Sequence, residues 1–111
     1  MRMLGFNKKW DKLQNEKFTT FRFSRKDRDW EIGEQVQVVF KPRSKEREIL
    51  GKAYIETIEM KLIQAVTEEE AIEDGFDEWI DMLHWMEIQY GFARLWHEPM
   101  NKLTLRWIKK I

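Results

Sequence analysis

The chain has 111 residues, enough for one hydrophobic core, and we predict a single domain over residues 1–111. It contains no cysteine, which excludes disulfides, thiolate metal sites and cysteine nucleophiles. No segment approaches the roughly 18 apolar residues of a membrane span, and the N-terminal stretch lacks the apolar run of a signal peptide. We therefore expect a cytoplasmic protein without membrane contact.

The net charge is zero, but the two signs are segregated along the chain. Through Lys52 there are 14 Lys and Arg against 8 Asp and Glu, and from Ala53 onward there are 6 against 12. A basic first half suggests an anionic partner. The alternative is that sheet and helix surfaces carry different solvated charges.

The N-terminal part of the chain predicts a short helix followed by a strand. Phe6, Trp10 and Leu13 have helical spacing, which favours a helix within residues 5–16. The segment 18–23 is rich in aromatic and β-branched residues and predicts the first strand.

Two longer strands are predicted next. Apolar and polar residues alternate over residues 34–42, which is typical of a half-buried strand. Residues 50–63 also alternate, but the apolar phase slips at Thr57 and Ile58. Such a slip indicates a β-bulge, which turns a strand at the corner of a barrel.

A helical segment is predicted to follow, because Thr67 and Glu70 form the pattern of a capping box. Gly75 is expected to interrupt this helix, and residues 76–86 continue it with amphipathic spacing. Residues 91–100 have no regular pattern and predict irregular structure.

The last element predicted is a strand over residues 102–108, where apolar and polar side chains alternate again. The order of elements predicts an α+β fold. Its sheet is a small mixed or antiparallel barrel, with a helical insert between the long strands and the C-terminal strand.

The first strand and the turn after it carry a cluster of cations. Arg22 offers a planar fork of donors that suits phosphate or a base edge, and Arg25, Lys26 and Arg28 follow within a few residues. These residues form a candidate surface for nucleic acid. The alternative is a solvated turn whose cations are offset by nearby aspartates.

Residues 15–22 resemble the GxKxxExR signature of the ASCH domain, a PUA-like β-barrel family associated with RNA. Lys17 and Arg22 match the signature, whereas Asn15 and Thr20 replace its Gly and Glu. Residues 30–40 are similar to the block that follows in that family. The resemblance implies a PUA-like barrel that binds RNA or a nucleotide through Lys17 and the four other cations, in a pocket beside the helical insert.

One branch of that family, the small bacterial N(4)-acetylcytidine amidohydrolases, is similar in carrying Lys-x-x-Thr-x-Arg. The resemblance implies a catalytic group made of Lys17, Thr20 and Asp74, with Glu73 as the alternative acid. The amide would be attacked by the threonine hydroxyl, which needs a neighbouring base. The other interpretation is that Lys17 and Thr20 are ordinary strand residues and that Asp74 ends the helix before Gly75.

Other residues give weaker signals. Trp30, Trp85 and Trp96 lie near predicted loops or helix ends, so they could stack on bases, although tryptophan is more often buried. His84 and His97 have no third ligand at a recognisable spacing, which predicts no metal site. We expect RNA, a nucleoside or a nucleotide as the partner. We expect no cofactor, and we favour a monomer.

Overall fold

A computed structural model describes all residues from Met1 to Ile111. The chain forms five strands and three α-helices, with two short 3-10 helices at Asp11–Gln14 and Ile63–Ala65. The strands and helices are β1 (Arg2–Phe6), β2 (Lys17–Arg22), β3 (Gln35–Phe40), β4 (Glu48–Lys61), α1 (Glu68–Glu73), α2 (Trp79–Tyr90), α3 (Phe92–His97) and β5 (Met100–Lys110). None of the helices combines the length and apolar character needed to cross a membrane.

All five strands belong to one curled sheet, in the order β1-β3-β4-β5-β2. β1 runs parallel to β3, and the other neighbours are antiparallel. The sheet is a half-barrel with β1 and β2 as its two edges. This confirms the predicted α+β class, the mixed sheet and the helical insert between the long strands and the C-terminal strand.

The predicted bulge in the second long strand is confirmed. Ile55 pairs with Leu105 and Thr57 with Thr104, so Glu56 is an extra residue in β4. The break lies one residue before the slip that the apolar pattern showed. A bulge increases the local twist of a strand, which helps the sheet to curl.

The curled sheet has a core on each of its faces. All five strands contribute to the first cluster: Leu4, Phe6, Leu13, Phe18, Trp30, Val36, Val38, Ala53, Ile55, Leu103 and Leu105. The second cluster lies between the sheet and the helices: Phe21, Phe23, Ile63, Val66, Ala71, Met82, Leu83, Met86, Leu95 and Met100. β2 contributes to both, so neither of its faces is an open surface.

Two of the predicted elements are wrong. Residues 5–16 do not form an α-helix, because residues 2–6 pair with β3 as a strand and only Asp11–Gln14 is helical, as a 3-10 turn. Residues 91–100 are not irregular, since Phe92–His97 is helical. In both places packing against distant parts of the chain overrides a weak local pattern.

The predicted capping box is confirmed and belongs to a larger charged cluster. Thr67 Oγ1 accepts a hydrogen bond from the Glu70 backbone N–H, and the Glu70 carboxylate accepts one from the Thr67 N–H. Lys61 Nζ and Lys102 Nζ also donate to Glu70, at 2.6 and 2.8 Å. Burial acts to raise the pKa of Glu70, but the two lysines outweigh it and lower the pKa to about 2.

We expect Glu70→Gln to destabilise the protein by about 2–3 kcal/mol at neutral pH, because the lowered pKa measures how strongly the ionised form is favoured. A group with a lowered pKa contributes stability that is present above its ordinary value of 4.5 and is lost as the pH falls towards about 2. The difference between wild type and variant should therefore shrink below pH 4.5. Urea unfolding at pH 7, 4 and 3 measures it.

The matched control for this variant is Glu69→Gln, which removes one carboxylate from an exposed position of the same helical turn. We expect it to change stability by less than about 0.5 kcal/mol. A loss at Glu70 that does not vary between pH 7 and pH 3 would contradict the role assigned to its charge.

Candidate functional site

A partly open cavity of about 110 Å³ lies where the half-barrel fails to close, between the edge strands β1 and β2 and beneath α2. Its charged side chains are Lys12, Arg22 and Asp74, and Thr20 adds a hydroxyl. The remaining lining residues are Gly5, Phe6, Asn7, Trp10, Phe21, Trp85, Met86, Gln89 and Tyr90. Six parts of the chain therefore meet here: both edge strands, the loop and 3-10 turn between them, the end of α1, and α2.

A close contact between Gly75 and Trp10 shapes one wall of the cavity. Gly75 has a φ of +115°, and a Cβ atom built on it would lie 2.8 Å from Trp10 Cε3. Only glycine combines this backbone conformation with such a close approach. Trp10 also packs against Trp85 of α2, with ring centroids 5.4 Å apart, so the wall is tied to the helical insert.

Lys12 and Asp74 form a buried ion pair at the base of the cavity. Lys12 Nζ donates to Asp74 Oδ1 at 3.0 Å, and the Thr19 hydroxyl donates to the same oxygen at 3.2 Å. Burial lowers the pKa of Lys12, the Asp74 charge opposes this, and the Arg22 charge adds to it. Burial raises the pKa of Asp74 against the influence of Lys12 and Thr19. A lysine in such surroundings loses its proton more readily than one in water.

Arg22 spans the gap between the two edge strands. Its Nη2 donates to the Gly5 carbonyl of β1 at 2.8 Å, and its Nε donates to Thr20 Oγ1 at 3.0 Å. The guanidinium also lies over the ring of Phe6, 4.8 Å from its centroid. Desolvation lowers the pKa of Arg22, and no carboxylate forms a salt bridge with it.

The structure brings together three of the site residues predicted from the sequence, which are Thr20, Arg22 and Asp74. Lys17 and Glu73 lie elsewhere, in a separate cavity of about 320 Å³ that Thr19 and Thr104 also line. Lys17 is half-exposed, and its Nζ is paired with Glu56 Oε1 at 3.0 Å. The amine nearest to Asp74 is that of Lys12, which the sequence did not single out.

The predicted basic surface is largely neutralised by local acids. Arg25 Nε lies 3.2 Å from Asp27 Oδ1, and Arg28 Nη1 lies 3.2 Å from Glu31 Oε2. Lys26 is exposed and forms no ion pair. Of the five predicted cations, only Arg22 and Lys26 are therefore without a carboxylate partner.

The three tryptophans considered for stacking differ in exposure. Trp30 is buried in the first core cluster, which excludes it as a stacking surface. Trp96 packs against the second cluster and against Phe92. Trp85 is 36% exposed and is the one of the three that lines the cavity.

Comparison with known proteins returned no match to a family model, a curated protein or a solved structure. The geometry of the cavity therefore has to support any functional assignment. That geometry combines aromatic walls, a buried amine beside a carboxylate, a hydroxyl, and a guanidinium without an acidic partner. Such a set can stack on a planar ring, hold an oxyanion and transfer a proton.

Proposed function

We propose that the chain is an ASCH-type, PUA-like module that binds an RNA base or a nucleotide in the cavity beneath α2. The observation that carries the proposal is the shared position of aromatic and cationic side chains: Trp10, Trp85 and Tyr90 line the same cavity as Lys12 and Arg22. Proteins recognise unpaired bases by stacking them on aromatic rings and by hydrogen bonds to their edges.

The cavity is expected to supply more of the affinity than the basic turn. Lys17, Arg25 and Arg28 already have acidic partners, although exposed pairs of this kind are worth only about 0–1 kcal/mol and can be exchanged for phosphate. Lys8 and Lys26 are the exposed cations near this region without such a partner. Two phosphate contacts would give a shallow salt dependence, with a slope near −1.4 for single-stranded RNA at about −0.7 per phosphate.

We expect Trp85→Ala to weaken binding of a short cytidine-containing RNA by about 5- to 150-fold, because base stacking on an aromatic ring contributes about 1–3 kcal/mol. Fluorescence anisotropy of a labelled oligonucleotide measures the affinity. The control is Phe92→Ala, which removes an exposed ring at the start of α3 that does not line the cavity. Equal losses in the two variants, or no binding by the wild type, would overturn the assignment.

A second candidate function is amide hydrolysis on an acylated cytidine. The observation that favours it is that Thr20, Lys12 and Asp74 share the cavity. In this reaction the Lys12 ammonium first passes a proton to the Asp74 carboxylate, and the neutral amine then takes the hydroxyl proton as Thr20 Oγ bonds to the acyl carbon. The C–N bond breaks as the leaving amine takes that proton from Lys12. Water then releases the acyl group from Thr20, and Asp74 orients the amine of Lys12.

The two lysines distinguish this mechanism from the one that the family resemblance implies. With N(4)-acetylcytidine as substrate, we expect Lys12→Met and Thr20→Val each to slow cytidine release by about 100-fold or more. Lys17→Gln, on the other side of β2, should leave the rate within about threefold, because a surface substitution away from the site acts only on stability. Chromatography of the released cytidine measures the rate, and circular dichroism checks folding.

The outcomes separate the candidates. Loss of activity in Lys17→Gln but not in Lys12→Met would return the role of the amine to Lys17. No turnover by the folded wild type would exclude the amidohydrolase on this substrate and leave the binding module.

A further inference from the structure

The cavity carries an excess of positive charge. Its lining contains two cations, Lys12 and Arg22, and one anion, Asp74. Asp74 is engaged by Lys12 at 3.0 Å and by the Thr19 hydroxyl. Arg22 hydrogen-bonds only to neutral groups, the Thr20 hydroxyl and the Gly5 carbonyl. One positive charge is therefore left without a counter-charge in a partly enclosed space.

Most of the donors of Arg22 are also free. A guanidinium has five N–H groups in a planar fork, and the hydrogen bonds to Thr20 and Gly5 use two of them. The remaining three have no acceptor within the protein. A fork of this kind binds carboxylate or phosphate oxygens through two parallel hydrogen bonds, which are stronger than neutral ones.

The size of the cavity limits which anion can enter. An engineered apolar cavity of about 150 Å³ binds benzene, so a partly open space of about 110 Å³ has room for no more than one ring. Trp10, Trp85 and Tyr90 supply apolar walls for such a ring. A ribose phosphate would have to lie outside the enclosed part.

We propose that the cavity selects a single planar ring that carries one carboxylate, with the carboxylate on Arg22 and the ring against Trp10 and Trp85. This proposal rests on the proposed function, because it assigns a negative charge to the base that the same cavity binds. The shared chemistry is a carboxylated pyrimidine, which can be a free base or part of a nucleoside.

Isothermal titration with two pairs of probes tests the proposal. Orotate and uracil differ by one carboxylate on a free pyrimidine, and 5-carboxycytidine and cytidine differ in the same way on a nucleoside. We expect the carboxylated member of at least one pair to bind about tenfold or more tightly than its neutral partner, because hydrogen bonds to charged groups are the stronger class. Which pair responds distinguishes the free base from the nucleoside.

The variants show whether Arg22 is responsible. Arg22→Gln should abolish the preference for the carboxylated probe, and Arg22→Lys, which keeps the charge but loses the fork, should reduce it. Arg25→Gln is the matched control, since it removes an exposed arginine that is paired with Asp27. Thermal unfolding of each variant identifies any that fail to fold, and Arg22→Lys then carries the test.

Two results would overturn the proposal: equal binding of the carboxylated and neutral probes by the wild type, or no binding of either. Binding of cytidine-containing RNA together with equal binding within both pairs of probes would leave the proposed function standing without the carboxylate preference. Strong binding of orotate without binding of RNA or cytidine would support the anion site and remove the proposed function.

Discussion

Replacing Asp74 by alanine is expected to lower the free energy of unfolding by about 3–5 kcal/mol, because it leaves a buried ammonium without its partner. Lys12 and Asp74 are both nearly inaccessible, and Lys12 Nζ has no other carboxylate within salt-bridge distance. The substitution also removes the acceptor of the Thr19 hydroxyl. Chemical denaturation at pH 7 measures the loss.

A double variant separates the burial of charge from the loss of packing. Lys12→Met combined with Asp74→Leu replaces the pair by apolar side chains of similar size, which in other proteins is often neutral or stabilising. We therefore expect the double variant to recover most of the stability that Asp74→Ala loses. A double variant no more stable than Asp74→Ala would show that the ion pair itself stabilises this region. In that case the cost of a buried unpaired charge would not explain the loss in Asp74→Ala.

Gly51→Ala is expected to cost at least about 3 kcal/mol, since strain at a sparsely populated backbone conformation is joined by a steric clash. Gly51 has a φ of +149° and lies in the centre of the sheet, between β3 and β5. A Cβ atom at this position would be 2.1 Å from the Lys109 carbonyl oxygen. This oxygen belongs to the backbone, so relief requires β4 and β5 to separate.

Gly33→Ala is the matched control for the clash. Gly33 has a φ of +86°, but a Cβ atom there would meet nothing within 4 Å. We expect this variant to lose only about 1–2 kcal/mol, the cost of a left-handed conformation for a residue with a side chain. Similar losses in both variants would mean that backbone strain alone, without the clash, explains the effect at Gly51.

Local patterns were sufficient to predict the elements that have strong periodicity or a defined cap. The alternation in β3 and β5, the phase slip at Thr57 and Ile58 and the capping box at Thr67 are all signals contained within a few residues. β1 has no comparable signal. Its five residues form a strand only because they pair in parallel with β3, which lies more than thirty positions further along the chain. α3 is a six-residue helix between Gly91 and Pro99, too short to show a period.

The candidate site was predictable only in part, because it too depends on contacts between residues far apart in the sequence. Thr20 and Asp74 came from a resemblance to a sequence motif, and Arg22 came from the cluster of cations as well as from that motif. Lys12, in contrast, lies in a run of charged residues that is typical of a solvated segment. Its burial depends on Asp74, 62 positions further along the chain. The helical spacing of Trp10 and Leu13 around it was the one sign that this segment packs inward.

The pairing of β2 with β5 has a consequence for the order of folding. Lys17 pairs with Arg106, 89 positions later, and β2 has no other strand neighbour. Long-range pairing of this kind slows folding, because the entropy of closing a long loop is lost before the stabilising contacts between the strands can form. During synthesis on the ribosome, the aromatic side chains of β2 therefore have no partner strand until β5 has been translated. A nascent chain stalled before β5 exposes an unpaired apolar strand, the kind of segment that chaperones hold.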